Sequence, residues 1–353
     1  MQDWLSERVA VSPDALALII GEERWTYVEL DRLVNGVYGR LQQKGIQPGD
    51  KIGVFMPNCL EYVCIVHALA RLGAILVPIN TRLTEHEVEW QIEHVECKFV
   101  LYKERPEWLM VNTQWLMVNQ AWFKQTSFTI HHSPFTIHNL QAIVFTSGTS
   151  GKPKGVQLTF ANHFYSAMAS AYRLGVLPDD VWLSCLPLYH VGGLAVIFRS
   201  CLYGTAVDLH SRFVLEDVNQ ALDIKPITLI SVVPTMLFRL LETRSFWPDS
   251  LRLILLGGAA ASAELVTRAN NLPRQTAVST LKPLVATTYG MTEAASQVAT
   301  MLPEDVENKP ASVGKPLLFT AVKIINENGE EQPPNSYGEI IVTGPTVMAG
   351  YYN

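Results

Sequence analysis

Ten consecutive residues, Thr146-Ser-Gly-Thr-Ser-Gly-Lys-Pro-Lys-Gly155, hold the densest chemistry in this chain, and they follow an apolar run at 142–145. Thr146, Ser147, Thr149 and Ser150 offer hydroxyl donors, and Lys152 and Lys154 offer positive charge. Gly148, Gly151 and Gly155 permit backbone conformations closed to other residues, so that neighbouring N–H groups can face one anion. A loop of this kind suits a polyphosphate. It is not a Walker A loop, because GxxxxGK[ST] does not occur. A plain surface loop has no reason to gather these types behind a buried strand.

Three more segments carry usable groups. Tyr289-Gly-Met-Thr-Glu293 offers an aromatic face, a hydroxyl and a hard carboxylate, or else an ordinary helix start capped by Thr292. Leu255-Leu-Gly-Gly-Ala-Ala-Ala261 ends an apolar run in Gly257-Gly258 and Ala259, where a flat ligand can approach the backbone; a purely structural turn reads the same way. His190 lies on a turn between Pro187 and Gly192-Gly193. Arg199 either pairs with a substrate carboxylate or forms a surface salt bridge.

The surrounding pattern supplies a scaffold. A strand at 15–20, a turn at 21–23 and a helix starting at Tyr27 behind a Thr26 cap are expected. Strands at 51–56, 74–79 and 98–102 alternate with a helix at 59–72 and another begun by Thr84, with Glu87 as its capping-box partner. The alternation resumes with strands at 142–145, 227–233 and 251–256 and a helix at 162–172. This predicts an α/β fold of doubly wound sheets. Residues 322–325 and 338–342 flank a turn and predict antiparallel β structure. The expected division is a first α/β subdomain over 1–160, a second over 161–305 and a partial β-barrel subdomain over 306–353. Between 103 and 139, Trp-Leu-Met-Val-Asn at 108–112 recurs at 115–119, and Phe-Thr-Ile-His at 128–131 recurs at 135–138. We read this stretch as a variable connector without a direct function, or as a partner surface made by Trp108, Trp115 and Trp122.

The loop at 146–155 closely resembles the signature of the adenylate-forming superfamily of acyl-CoA synthetases, luciferases and peptide adenylation domains. The resemblance spans nearly the whole chain apart from the connector. It implies a large N-terminal domain of two doubly wound mixed sheets with helices and a partial antiparallel β subdomain. It implies activation of a carboxylic acid by ATP and Mg²⁺ as an acyl-AMP, which a thiol then attacks. In that family the loop handles the β- and γ-phosphates, with Thr149 also expected near the metal. Tyr289 stacks on adenine within a nucleotide contact formed by Gly257, Gly258, Ala259, Gly290, Met291 and Thr292. Thr292 contacts the α-phosphate, Glu293 holds Mg²⁺, and His190 lies between acyl pocket and thiol. Residues 79–84, 186–190, 255–258 and 290–297 resemble most the branch that joins o-succinylbenzoate to coenzyme A. That substrate needs apolar walls and a partner for its spectator carboxylate, for which Arg199, Ser296 and Gln297 are the candidates. Other aryl- or fatty-acyl-CoA ligases, and a non-catalytic nucleotide-binding fragment, are the alternatives. The resemblance also implies a small C-terminal catalytic domain beyond residue 353, and little complete activity without it.

Composition is consistent with this reading. A formal charge of −6 in 353 residues argues against broad binding to nucleic acid or anionic membranes. Five cysteines without a CxxC pair suggest reduced thiols in the cytoplasm. The apolar stretch 63–79 is broken by His67, Arg71, Gly73 and Pro78, so no stable membrane insertion is expected. A homo-oligomer is left open.

Overall fold

A computed structural model describes residues 3–104, 114–124, 136–146, 152–276, 284–306, 308–309 and 312–352. Two large mixed sheets with helices packed against them form the body, as the alternation of strands and helices predicts. The seven-stranded sheet runs in the order Gly350–Tyr351, Lys154–Thr159, Leu140–Thr146, Ile75–Pro78, Lys51–Phe55, Phe99–Tyr102, Gln114–Met117. Its pairs are parallel from Leu140–Thr146 to Gln114–Met117 and antiparallel on the other side. The nine-stranded sheet runs Lys315–Pro316, Ser296–Met301, Val285–Met291, Leu253–Leu256, Leu229–Val232, Val181–Ser184, Ala206–Leu209, Leu16–Ile20, Glu23–Thr26. Ala321–Ile325 and Glu339–Thr343 form a separate antiparallel pair.

The chain signals these elements locally. Thr26 and Glu29 close a capping box at the start of helix Tyr27–Gln43, and Thr84 and Glu87 do the same for Glu85–His94. Helix Leu60–Leu72 is buried at every position but Leu60, as a helix that is apolar all round should be. Its one buried cation is compensated: Arg71 pairs with Asp3 at 3.0 Å and Asp31 at 2.6 Å. One apolar core joins the two sheets, with Trp4 edge-on to both Phe160 and Phe198 at 5.4 and 5.5 Å. Among the described residues, no helix is long and apolar enough to cross a membrane.

Three local expectations are corrected. Glu23 does not belong to the turn: Gly21 turns the chain at φ 60°, and Glu23–Thr26 pairs back on Leu16–Ile20. That hairpin does not join the sheet built from the rest of 1–160. Leu18 aligns with Val207, so the hairpin extends the nine-stranded sheet, while Gly350–Tyr351 returns to the seven-stranded one. The connector is not merely a variable linker. The second copy of its repeat supplies strand Gln114–Met117, parallel to Phe99–Tyr102. Trp115 packs edge-on against Phe55 and Tyr102 at 6.1 and 5.9 Å and is half-buried, and Trp122 is 7% exposed, so Trp122 presents no partner surface. Trp108 and residues 125–135 lie outside the described residues.

Candidate functional site

The ends of strands Leu253–Leu256 and Val285–Met291 meet the start of helix Val191–Tyr203 around a cavity of about 430 Å³. His190, Arg199, Gly257, Gly258, Gly290, Met291, Thr292, Ser296 and Gln297 all line it, so residues from three separate segments converge. Ala259 is exposed and does not line it, and Tyr289 stands half-buried on its strand opposite Ala299.

A kink shapes the wall beside Glu293. The pairing of Val285–Met291 with Ser296–Met301 slips between Tyr289 and Gly290. Ala295 and Ser296 take φ of 50° and 102°, conformations that L residues rarely hold without surrounding constraint. Gly290 accommodates this closure, because a Cβ there would meet the Ser296 carbonyl oxygen at 1.9 Å. Thr292–Ala294 is a single 3₁₀ turn, and Thr292 does not cap a longer helix. The turn leaves Thr292 at the cavity and Glu293 half-buried beside it.

Glu293 has a defined second contact. Its Oε1 accepts a hydrogen bond from the Tyr351 hydroxyl at 2.9 Å, and its backbone carbonyl accepts from the Met348 N–H at 2.8 Å. Among the described residues, no group of three or more His, Cys, Asp or Glu could hold a metal ion. A single half-buried carboxylate with its Oε2 outside that bond fits Mg²⁺, which commonly takes one or two carboxylates and completes its shell with phosphates and water.

Ser147, Gly148, Thr149, Ser150 and Gly151 lie outside the described residues. The strands leading in and out are clear: Thr146 pairs with Lys154 and Phe145 with Gly155. Thr146 and Lys152 line a second cavity of about 720 Å³ together with Trp90, Phe145, Tyr189 and His190. Lys154 instead rests over the ring of Tyr351, 4.9 Å from its centroid.

His190 touches both cavities. It is the N-cap of helix Val191–Tyr203 but makes no capping bond, so its ring is available. Desolvation, helped by Arg82, holds the imidazole below its ordinary pKa and therefore neutral at pH 7.

Arg199 is no surface residue. It is 2% exposed and donates from Nη2 to Ser166 Oγ at 3.2 Å, and its Nε has no partner among the described residues. Among the described residues no carboxylate forms an ion pair with it. Burial lowers the guanidinium pKa from its ordinary value, and His163 beside it is pushed down to about 3 by burial and by Arg199. His163 is thus neutral and offers no counter-charge. Gln297 is buried, with its amide nitrogen committed to Thr300 Oγ1 at 3.1 Å and Thr288 Oγ1 at 3.4 Å, while its Oε1 is unpaired. Gln297 lines the cavity, with its amide nitrogen already engaged inside the protein. Ser166, His163 and Tyr351 were not anticipated. The first two sit on an unremarkable amphipathic helix, and Tyr351 reaches its partner across 58 residues.

A model of the family described as AMP-binding enzyme matches residues 5–352. The 2-succinylbenzoate–CoA ligase of Bacillus licheniformis is 39% identical over 99% of this chain, which spans 72% of that relative. The structure of o-succinylbenzoate CoA synthetase from Bacillus subtilis with the acyl-adenylate OSB-AMP has a TM-score of 0.93 at 35% identity, covering all of this chain and 71% of that one. The structure of the same synthetase with ATP and magnesium ion gives 0.91 at 35% identity, covering 100% and 73%.

Proposed function

The chain belongs to the AMP-binding enzyme family, and on that premise we propose that it activates o-succinylbenzoate with ATP as an acyl-adenylate on the way to a thioester with coenzyme A. The observation that carries the substrate is Arg199. An arginine 2% exposed, without a carboxylate partner, lines the cavity that Thr292 also lines. Keeping an unpaired charge away from water is costly, so the site is built for an anion that the ligand brings. A monocarboxylate would spend its only charge at the reacting end. A dicarboxylate supplies one carboxylate for activation and one for Arg199.

The remaining groups follow. The succinyl carboxylate attacks the α-phosphorus, with the Thr292 hydroxyl donating to an α-phosphate oxygen and Gly257 and Gly258 admitting the flat base. Ser147, Thr149, Ser150, Lys152 and Lys154 cradle the departing pyrophosphate. Glu293, joined on the family resemblance by Thr149, would hold Mg²⁺, which supplies charge neutralisation on the phosphates when bound. His190, neutral and shared by both cavities, borders the path by which the thiol reaches the acyl carbonyl. Ser296 and Gln297 shape the rest of the acyl wall. The five free cysteines support a cytoplasmic setting.

Calorimetric titration of the 353-residue chain with non-hydrolysable acyl-adenylate analogues tests the substrate. The o-succinylbenzoyl analogue should bind tightest. The analogue without the ring carboxylate should bind more weakly. A fatty-acyl or benzoyl analogue that binds better than the o-succinylbenzoyl one would overturn it.

A further inference from the structure

The segment 345–352 is stitched into the site from both sides. The Asn162 side-chain amide donates to the carbonyls of Pro345 and Val347 at 2.9 and 2.8 Å. Met348 N–H donates to the carbonyl of Glu293 at 2.8 Å. Ala349 N–H donates to Gln157 at 3.0 Å and Tyr352 N–H to Gly155 at 2.7 Å, so the segment also rides on the strand that leaves the phosphate loop. Its backbone position is thus set without help from the Tyr351 side chain.

That side chain is 41% exposed, yet its hydroxyl and one face of its ring are engaged. The hydroxyl donates to Glu293 Oε1 at 2.9 Å, and the ring lies under Lys154 Nζ at 4.9 Å. An exposed tyrosine kept only for packing has no need of a carboxylate at its tip.

We propose that Tyr351 is a positioning residue for the metal: its hydroxyl fixes one oxygen of Glu293 so that the other faces Mg²⁺, while its ring steers Lys154 toward the same phosphates. Mg²⁺ demands near-ideal octahedral geometry, so a carboxylate free to rotate is a poorer ligand than one held at one oxygen. Outer-shell partners of this kind typically change metal affinity about 10- to 100-fold when removed. The Tyr351–Glu293 contact thereby ties the exit of the phosphate loop to the metal carboxylate, two sites 139 residues apart in sequence at Lys154 and Glu293 (293 − 154). This rests on the assignment of Glu293 to Mg²⁺ made above.

Tyr351→Phe removes only the hydroxyl and keeps the ring under Lys154. ATP binding to the full 353-residue chain is measured by calorimetry across a Mg²⁺ titration and again in EDTA. The expected result is a rise of about 10-fold in the Mg²⁺ concentration at half-saturation, with Mg²⁺-free ATP affinity unchanged. In a Glu293→Gln background the same substitution should add nothing, as two residues acting through one contact require. An unchanged Mg²⁺ requirement, or an equal loss with and without Mg²⁺, overturns the proposal while leaving the nucleotide site intact. Failure of the unsubstituted chain to bind ATP in a Mg²⁺-dependent way overturns the metal assignment itself, and this proposal with it.

Discussion

Replacing Arg199 by methionine should separate stability from recognition. In the ligand-free chain the guanidinium is 2% exposed and, among the described residues, makes one hydrogen bond, at 3.2 Å to Ser166, with Nε unsatisfied. An unsatisfied buried donor costs roughly 1–3 kcal/mol. Replacing buried charge with an apolar side chain of similar volume is often neutral or stabilising by about 1–4 kcal/mol. Ser166 keeps its bond to the Ala295 carbonyl at 2.7 Å, so the substitution orphans nothing essential. The free chain should therefore unfold in urea at the same concentration as the unsubstituted chain, or a higher one. Binding should change in the opposite sense. Truncating one member of a buried, hydrogen-bonded charge pair costs about 2–5 kcal/mol, or roughly 30-fold to a few thousand-fold in Kd. That loss should fall on the o-succinylbenzoyl-adenylate analogue alone, and the analogue without the ring carboxylate should bind within about 3-fold of its original affinity. The assay is calorimetric titration of both analogues against both chains, paired with urea unfolding. A variant that loses stability, or that weakens both analogues equally, would show that Arg199 is structural and refute the reasoning.

Gly290→Ala should lower unfolding stability by more than about 2 kcal/mol and abolish ATP binding, because its Cβ would meet the Ser296 carbonyl oxygen at 1.9 Å; a normal urea midpoint would contradict the tight closure described. Two buried histidines should make the chain acid-sensitive. Burial lowers His67 to about 4 and His163 to about 3, against 6.5 for the free group. Both are neutral in either state above pH 6.5, so neither affects stability there. As pH falls from 6.5 toward 4 the unfolded chain takes up protons that the folded chain refuses, and stability should drop by up to about 1.4 kcal/mol per pH unit for each. His163→Phe should flatten that slope in urea unfolding followed from pH 7 to 4.5, and an unaltered slope would count against the buried neutral state. Trp122→Ala should cost about 3–5 kcal/mol, as for a buried tryptophan; a change below 1 kcal/mol would return the connector to a passive linker.

Short-range chemistry was readable in the chain. The capping boxes at Thr26 and Thr84 depend on residues three apart, and the strands around the phosphate loop are marked by apolar runs that end in glycine and hydroxyl residues. What stayed hidden depends on which surfaces meet. Leu18 finds Val207 across 189 positions (207 − 18), and nothing in the apolar run at 15–20 distinguishes one sheet edge from another. The connector was misread for a different reason: its self-similarity at 108–119 drew attention to duplication, while Gln-Trp-Leu-Met at 114–117 is short enough to suit a strand or a loop equally.

Arg199 shows the same limit at the site itself. From sequence an arginine here suits a substrate carboxylate or a surface salt bridge equally, and only the packing of Val191–Tyr203 against Phe160–Leu174 reveals that it is enclosed. Once enclosed, its meaning reverses. A surface arginine without a partner says nothing about function, whereas a buried one must be compensated by protein or by ligand. His163 is neutral, Ser166 is already bonded to Ala295, and the Gln297 oxygen has no partner among the described residues. Among the described residues the charge therefore meets neutral dipoles only, which is the ground for proposing that an anion in the cavity completes its compensation. The proposed spectator carboxylate would be the counter-charge that the described residues do not supply; the sequence offers Arg199 as its candidate partner, and the packing adds the enclosure that gives the pairing its weight.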